Sequence, residues 1–187
     1  MKYPNSNKVY VKPKESASRR GMSLEEDINS TNRYYLTNNT AVIYKKPTPI
    51  TIVHVDYPKR SAAKITEAYF KVPSTTDYNG IYLGKYIDFE AKECESKTSF
   101  PFSSIHQHQI DHLSKVLEHG AIAFIIIRMV SYDKDFLINA KDFIDFYNST
   151  SRKSLPYDWI IENGFEIPRA YQKPCDYLSV VERVYDL

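Results

Sequence analysis

Cysteine is nearly absent: Cys94 and Cys175 are the only two thiols in 187 residues, too few for a disulfide framework. Missing as well is any apolar N-terminal stretch that resembles a signal peptide or a membrane span, so the cytoplasm is the expected compartment and no membrane partner is expected. Excess charge of one sign is lacking too. Against 23 Asp and Glu stand 25 Lys and Arg, a formal net charge of +2, so any affinity for nucleic acid has to come from local segregation of charge. No internal repeat or second domain is visible. What remains is 42% hydrophobic and 14% aromatic, an ordinary globular composition on a chain long enough for one domain with a sizeable core.

The chain opens with Lys2, Lys8, Lys12, Lys14, Arg19 and Arg20 against a single acid, Glu15. Residues 1–18 therefore read as a basic arm, disordered when free, and 19–187 as a single domain. "SLEE" carries a capping box, Ser23 as N-cap and Glu26 three residues on, and opens a helix with Leu24, Ile28 and Tyr35 near one face; Asn38 and Asn39 end it. Strands are expected at 41–46, 50–57 and near 137. The apolar run "AIAFIIIRMV" at 121–130 should form a central strand buried on both faces. Helices are expected at 102–119, 140–147, 157–163 with Gly164 as the stop, and 176–185. This order gives an α/β protein built on a mixed sheet flanked by helices.

The chemistry concentrates in "STTDYNGIYLGKYIDFEAK", residues 74–92. From 86 to 92, Ile87, Phe89 and Ala91 alternate with Asp88, Glu90 and Lys92, the period of a half-buried strand. Glu90 and Lys92 share a face. "LGK" supplies a tight reversal, and a turn centred on Leu83 and Gly84 sets Tyr82 against Lys85 and, counting outward, Asp77 against Glu90. Two facing carboxylates repel and require a positive charge. A hard divalent ion with oxygen ligands would serve, with Lys92 pointing at the same spot, and the spacing proposes a phosphodiester-hydrolysing site. A solvent-facing Glu-x-Lys salt bridge is the competing reading.

Two neighbouring segments bear on substrate. "YPKRSAAKITEAYFKVPS", residues 57–74, interleaves Lys59, Arg60, Lys64 and Lys71 with Tyr69 and Phe70, which suits phosphates and unstacked bases and equally suits a helix with a solvated basic side. In "SSIHQHQIDHL", His108 and His112 are four apart, but no metalloprotease Glu and no nearby Cys completes a zinc site. Gln109 belongs to a helix that can lay a polar residue over the pocket, or it is an ordinary exposed residue.

The order Asp77, Glu90-x-Lys92 resembles the PD-(D/E)xK nuclease superfamily, with Pro73 standing four residues before Asp77. A more specific likeness runs from about Arg19 to the C-terminus. "RRGMSLEEDIN", "KKPTPI", "VDYPKRSAA", "EAYFKVPSTTDYNGIYLGKYIDFEAKE", "KTSFPFSSIHQHQIDH" and "GFEIPRAYQKPCDYLSVVERVY" together resemble the RecU family of Holliday junction resolvases. The resemblance implies a restriction-endonuclease-like fold with a stalk at about 59–74, and a homodimer. It further implies Mg²⁺-dependent nicking, Mn²⁺ being a possible substitute, of two strands of like polarity at four-way DNA junctions in recombination, repair and chromosome segregation.

Carried over by position, it assigns Thr75, Asp77, Glu90 and Gln109 to the metal and Lys92 to the transition state. Arg20, Lys45, Lys46, Lys59, Arg60, Lys64, Tyr69, Phe70 and Lys71 fall to DNA, with Tyr69 and Phe70 near the open centre of the junction. Asp88 matches no functional position and is assigned a structural role. Branch-migration helicases and recombinases are further partners that the resemblance implies. A non-catalytic junction-binding modulator and a restriction-type duplex nuclease are the alternatives.

Overall fold

The longest apolar run of the chain becomes the strand on which the rest is assembled. In the computed structural model, which describes residues 17–71 and 75–187, it forms β7 (Ile122–Met129), buried at every position. Strand β5 (Lys85–Cys94) lies parallel beside it with Glu90 opposite Ile125, and β8 (Lys134–Asn139) pairs antiparallel on the other side. One edge is extended by β4 (Tyr78–Tyr82) and β1 (Val42–Lys45), the other by the two-residue β10 (Phe165–Glu166), in the order β1-β4-β5-β7-β8-β10. A parallel pair among antiparallel ones makes this the expected mixed sheet.

Helices cover both faces. Because side chains alternate along a strand, Phe124 and Ile126 of β7 enter a core with Leu24 and Ile28 of α1 (Ala17–Thr37) and Val181 of α5 (Tyr177–Tyr185). Ile125 and Ile127 enter a second core with Leu113 of α2 (Gln107–Glu118), Phe143 of α3 (Ala140–Ser149) and Ile160 of α4 (Tyr157–Asn163). Phe89 is the centre of the first core, stacked on Tyr78 at 4.8 Å and on Phe124 at 4.7 Å. Phe89→Ala is expected to destabilise the fold by about 3–5 kcal/mol, read as a lower urea midpoint at unchanged m-value; a loss below about 1 kcal/mol contradicts this packing.

Several expectations are corrected. β5 is not half-buried: Asp88 and Glu90 are both 0% exposed, because α2 covers the face that the alternation assigns to solvent. α1 begins at Ala17, so Ser23 lies within the helix and not at its cap; Ala17, Arg19, Arg20 and Met22 are good helix formers and carry the helix upstream. The helix expected from 102 starts at Gln107, preceded by β6 (Ser99–Pro101), which pairs with β9 (Ser154–Pro156), and by a 3₁₀ turn. Gly164 does follow α4, but at φ −94° and not in the left-handed region. Glycine is required there by space, since a Cβ would sit 2.5 Å from both Ile138 Cδ1 and the Ile160 carbonyl. The basic arm expected over 1–18 lies, up to residue 16, outside the described residues, as do 72–74 of the stalk; the side chain of Arg20 is likewise outside them.

The stalk segment is a strand and not a helix. β2 (Ile50–Asp56) and β3 (Lys64–Phe70) form a two-stranded antiparallel ribbon separate from the main sheet. All residues of both strands are exposed. The ribbon thus begins well before residue 59, its tip spans 57–63, and Phe70 and Tyr69 pair with Ile50 and Thr51 at its root. That root, not the tip, is where the structure places the two aromatics.

Candidate active site

A two-residue reversal fixes the site. Leu83 and Gly84 take φ of 48° and 74°, the left-handed pair of a type I′ hairpin turn whose twist matches that of the strands. Register then follows without slack: Tyr82 faces Lys85 and Tyr78 faces Phe89. One step further, the Asp77 amide donates to Glu90 Oε2 at 3.1 Å. The sequence count that set Asp77 against Glu90 is reproduced.

Lys92 joins both acids. Its ammonium donates to Glu90 Oε1 and stands 3.9 Å from Asp77 Oδ2. Glu90 is buried, while Asp77 and Lys92 are partly open to solvent, so the site is dry at one wall and accessible at the other. Burial pushes the Glu90 carboxyl up to about 8; Lys92 opposes the rise and Asp77 adds to it. A carboxylate this reluctant to ionise is one that a second positive charge would favour.

The donor set fits a hard divalent cation. Two carboxylates stand side by side, and no cluster of three or more His, Cys, Asp or Glu able to hold a metal occurs among the described residues. An ion that uses one or two carboxylates and otherwise keeps water suits such a site better than zinc does. Thr75 and Gln109 are the other expected ligands. Thr75 is half-buried two residues before Asp77, its hydroxyl turned to the Thr76 carbonyl at 3.4 Å. Gln109 is buried on α2, three residues before His112, and its Oε1 accepts the His106 amide at 2.9 Å in a capping box. It is therefore not the exposed residue of the competing reading. His112 Nε2 lies 3.1 Å from Asp88, which shows that α2 overlies the carboxylate face of β5. His106 and His108 stack on each other at 5.4 Å.

The residues expected on DNA divide into groups. Lys59, Arg60, Lys64, Tyr69, Phe70 and Lys71 are exposed on the ribbon or its flanks, Phe70 at 82%. Lys45 is paired with Glu25 of α1. Lys46 points inward to Asp88 and Thr76, with its side chain only 18% exposed. Sequence reasoning missed Glu25, which shares with Asp77 and Lys92 the lining of a cavity of about 140 Å³, and missed the role of Thr76 and His112 as partners of Asp88. No local pattern signals these, since Thr76 and His112 stand 12 and 24 residues from Asp88 and Glu25 lies on another element.

The raised Glu90 carboxyl sets a pH dependence. The neutral form suits the dry site, so the folded protein keeps a proton that the unfolded chain releases above about pH 4.5. That contribution to stability is complete below pH 4.5 and is lost as pH rises through about 8. The melting temperature of metal-free protein is expected to fall across this window relative to that of Glu90→Gln; parallel pH profiles for the two contradict the assignment.

An Asp at the foot of a hairpin, a Glu-x-Lys on its return strand and helices on both faces of a mixed sheet characterise this α/β protein. The family model RecU, Recombination protein U, matches residues 19–183. The chain belongs to that family. It is 53% identical over 195 residues to "Holliday junction resolvase RecU" of Oceanobacillus iheyensis, covering 99% of this chain and 100% of the relative. The protein of the same name from Bacillus cereus is 50% identical over 197 residues, covering 99% and 98%. Among solved structures, Archaeoglobus fulgidus Hjc, a Holliday junction resolvase, aligns at 10% identity with a TM-score of 0.46 over 78% of this chain and 95% of that one.

Proposed function

We propose that this protein is a Holliday junction resolvase, an endonuclease that nicks two strands of like polarity at a four-way DNA junction. The observation that carries the reading is the Asp77, Glu90 and Lys92 constellation, with the Asp77 amide on Glu90 and Lys92 reaching both acids, in a chain of the RecU family. Asp77 and Glu90, together with Thr75 and Gln109 as the resemblance implies, would hold Mg²⁺, or Mn²⁺ in its place. Bound there, the ion would draw negative charge off the scissile phosphate and lower the pKa of a water.

The chain's own groups do the rest. Lys92, held by Glu90 and facing the open side, offers its ammonium where negative charge accumulates as water attacks phosphorus and the P–O3′ bond breaks. The products are a 5′-phosphate and a 3′-hydroxyl, the latter taking up a proton. The buried wall of β5 keeps Glu90 in place and excludes bulk water from that side.

Junction selectivity is assigned to the ribbon. Lys59, Arg60 and Lys64 at and beside its tip meet phosphates, and Tyr69 and Phe70 at its root offer faces to bases unstacked at the branch point. A homodimer would present two equivalent sites to a pseudo-twofold substrate, and the exposed Val42, Tyr44 and Ile81 along the β1 edge leave an apolar surface for such a contact. Branch-migration helicases and recombinases are proposed as further partners, and the cytoplasm as the site of action. No helix among the described residues is long and apolar enough to cross a membrane.

The test is incubation of a labelled four-way junction with the protein in Mg²⁺ or EDTA. Nicking with Mg²⁺ alone supports the reading, and an uncut junction under both conditions removes it. Junction affinity, measured separately in EDTA, is expected to fall about tenfold or more between low and physiological salt, since phosphates supply much of the attraction.

A further inference from the structure

Asp88 is fully buried, and all its partners come from elsewhere in the fold or from its own strand. Thr76 donates to Oδ1. Oδ2 meets Lys46 Nζ at 2.8 Å, the Tyr86 hydroxyl at 2.8 Å and His112 Nε2 at 3.1 Å. Lys46 Nζ also donates to Thr76 Oγ1 at 2.9 Å. The carboxylate, the ammonium and the hydroxyl therefore form a closed triangle, with Asp88 and Thr76 buried and Lys46 partly so.

The position of this triangle gives it a consequence. Lys46 precedes the first leg of the ribbon, and Thr76 lies between Thr75 and Asp77 after the second leg. The Lys46 amide donates to the Asp77 carbonyl at 2.7 Å, and the Lys71 amide donates to the Pro49 carbonyl at 2.9 Å. A cavity of about 270 Å³ between the two roots is lined by Lys46, Pro47 and Pro49 on one side and by Thr75, Thr76 and Asp77 on the other. Ribbon and site thus share one foundation, and its buried part is Asp88.

We propose that Asp88 is a positioning residue. Acting through Lys46 and Thr76, it locks the roots of the ribbon and the segment bearing Asp77 into one unit, so that DNA seated on the ribbon is presented to the metal-binding carboxylates at a fixed distance. This rests on the junction-cleaving reading above. Lys46 belongs to this unit and not to the DNA-facing cations. A lone buried charge is strongly unfavourable, so each member requires the other.

The experiment compares Asp88→Asn, Lys46→Met and the double variant, with Thr76→Val as a milder probe that keeps volume. Each is measured for melting temperature, Mn²⁺ affinity by calorimetry without DNA, junction affinity in EDTA at several salt concentrations, and nicking against Mg²⁺. Both single variants are expected to bind junction within about twofold of wild type with an unchanged salt slope, while nicking falls about 10- to 100-fold and Mn²⁺ binding weakens several-fold. The double variant is expected to lose less than the product of the two single losses.

Three results overturn the proposal. One is a salt slope reduced by about one phosphate in Lys46→Met, which makes Lys46 a DNA contact. Another is a lower melting temperature with Mn²⁺ affinity and nicking of the folded fraction unchanged, which makes the role merely architectural. The third is strict additivity in the double variant. If the single variants do not fold, Thr76→Val and the double variant decide by the same readings. Should wild type fail to cut junctions at all, the cleavage reading fails, and the Mn²⁺ titrations still decide whether Asp88 positions Asp77.

Discussion

Replacing Glu90 by Gln is expected to lower junction nicking in Mg²⁺ on the order of 10³-fold while leaving junction binding in EDTA within about twofold. The amide has the size of the carboxyl and can still accept from the Asp77 amide. It cannot carry the negative charge that Lys92 and a cation both need. Because burial already holds the Glu90 carboxyl up to about 8, a neutral group in its place relieves the folded protein. Metal-free Glu90→Gln should therefore melt no lower than wild type, and higher above pH 8, where wild type must ionise in a dry site. Stability and activity moving in opposite directions mark a group kept for chemistry. A variant that melts well below wild type and still nicks would make Glu90 an architectural residue.

Trimming the ribbon is expected to have the second large effect. Every residue of β2 and β3 is exposed, and a two-stranded hairpin contributes little stability by itself. Closing it at the Ile52 and Ala68 pair should leave the melting temperature unchanged and remove Lys59, Arg60 and Lys64. The preference for a four-way junction over linear duplex should then fall about tenfold or more, with a shallower salt dependence of binding. Tyr69→Ala with Phe70→Ala separates the root from the tip: base stacking is worth about 1–3 kcal/mol per base, so this pair should weaken junction binding without changing the salt slope. Undiminished junction preference in the trimmed protein would remove the ribbon from recognition.

How far these features can be read from sequence depends on the range of the interactions involved. The Asp77 to Glu90 register was legible because a two-residue turn leaves no freedom, and counting from Leu83 and Gly84 is then reliable. β7 was legible because the six consecutive apolar residues Ile122–Ile127 can only be buried on both sides. β5 was misread as half-buried because alternating charge ordinarily means solvent. Here α2 covers that face, and Lys46, Thr76, Tyr86 and His112 converge on Asp88 from four segments. Such convergence has no periodicity. The same blindness hid the partners of Asp88, which the sequence marks only as structural, and the contact of Lys46 with it.

The ribbon was half legible. Its basic and aromatic residues stood out in sequence, but "ITEAY" carries residues compatible with either helix or strand, and pairing with β2 decides the matter. Tyr69 and Phe70 were expected near the centre of the junction. The register pairs them with Thr51 and Ile50 at the ribbon's root.

Asp77, Glu90 and Lys92 are proposed to form a cleavage site used in pairs on a four-way junction. The most direct measurement labels each of the four strands of a junction in turn and maps the products made by wild type, Asp77→Asn and Glu90→Gln in Mg²⁺ and in EDTA, beside a linear duplex. Paired nicks are expected at symmetric positions in two strands of like polarity, bearing 5′-phosphates, made only by wild type and only with Mg²⁺, with the duplex left largely intact. Binding without any cut, variants that cut as well as wild type, or equal cutting of duplex would contradict it.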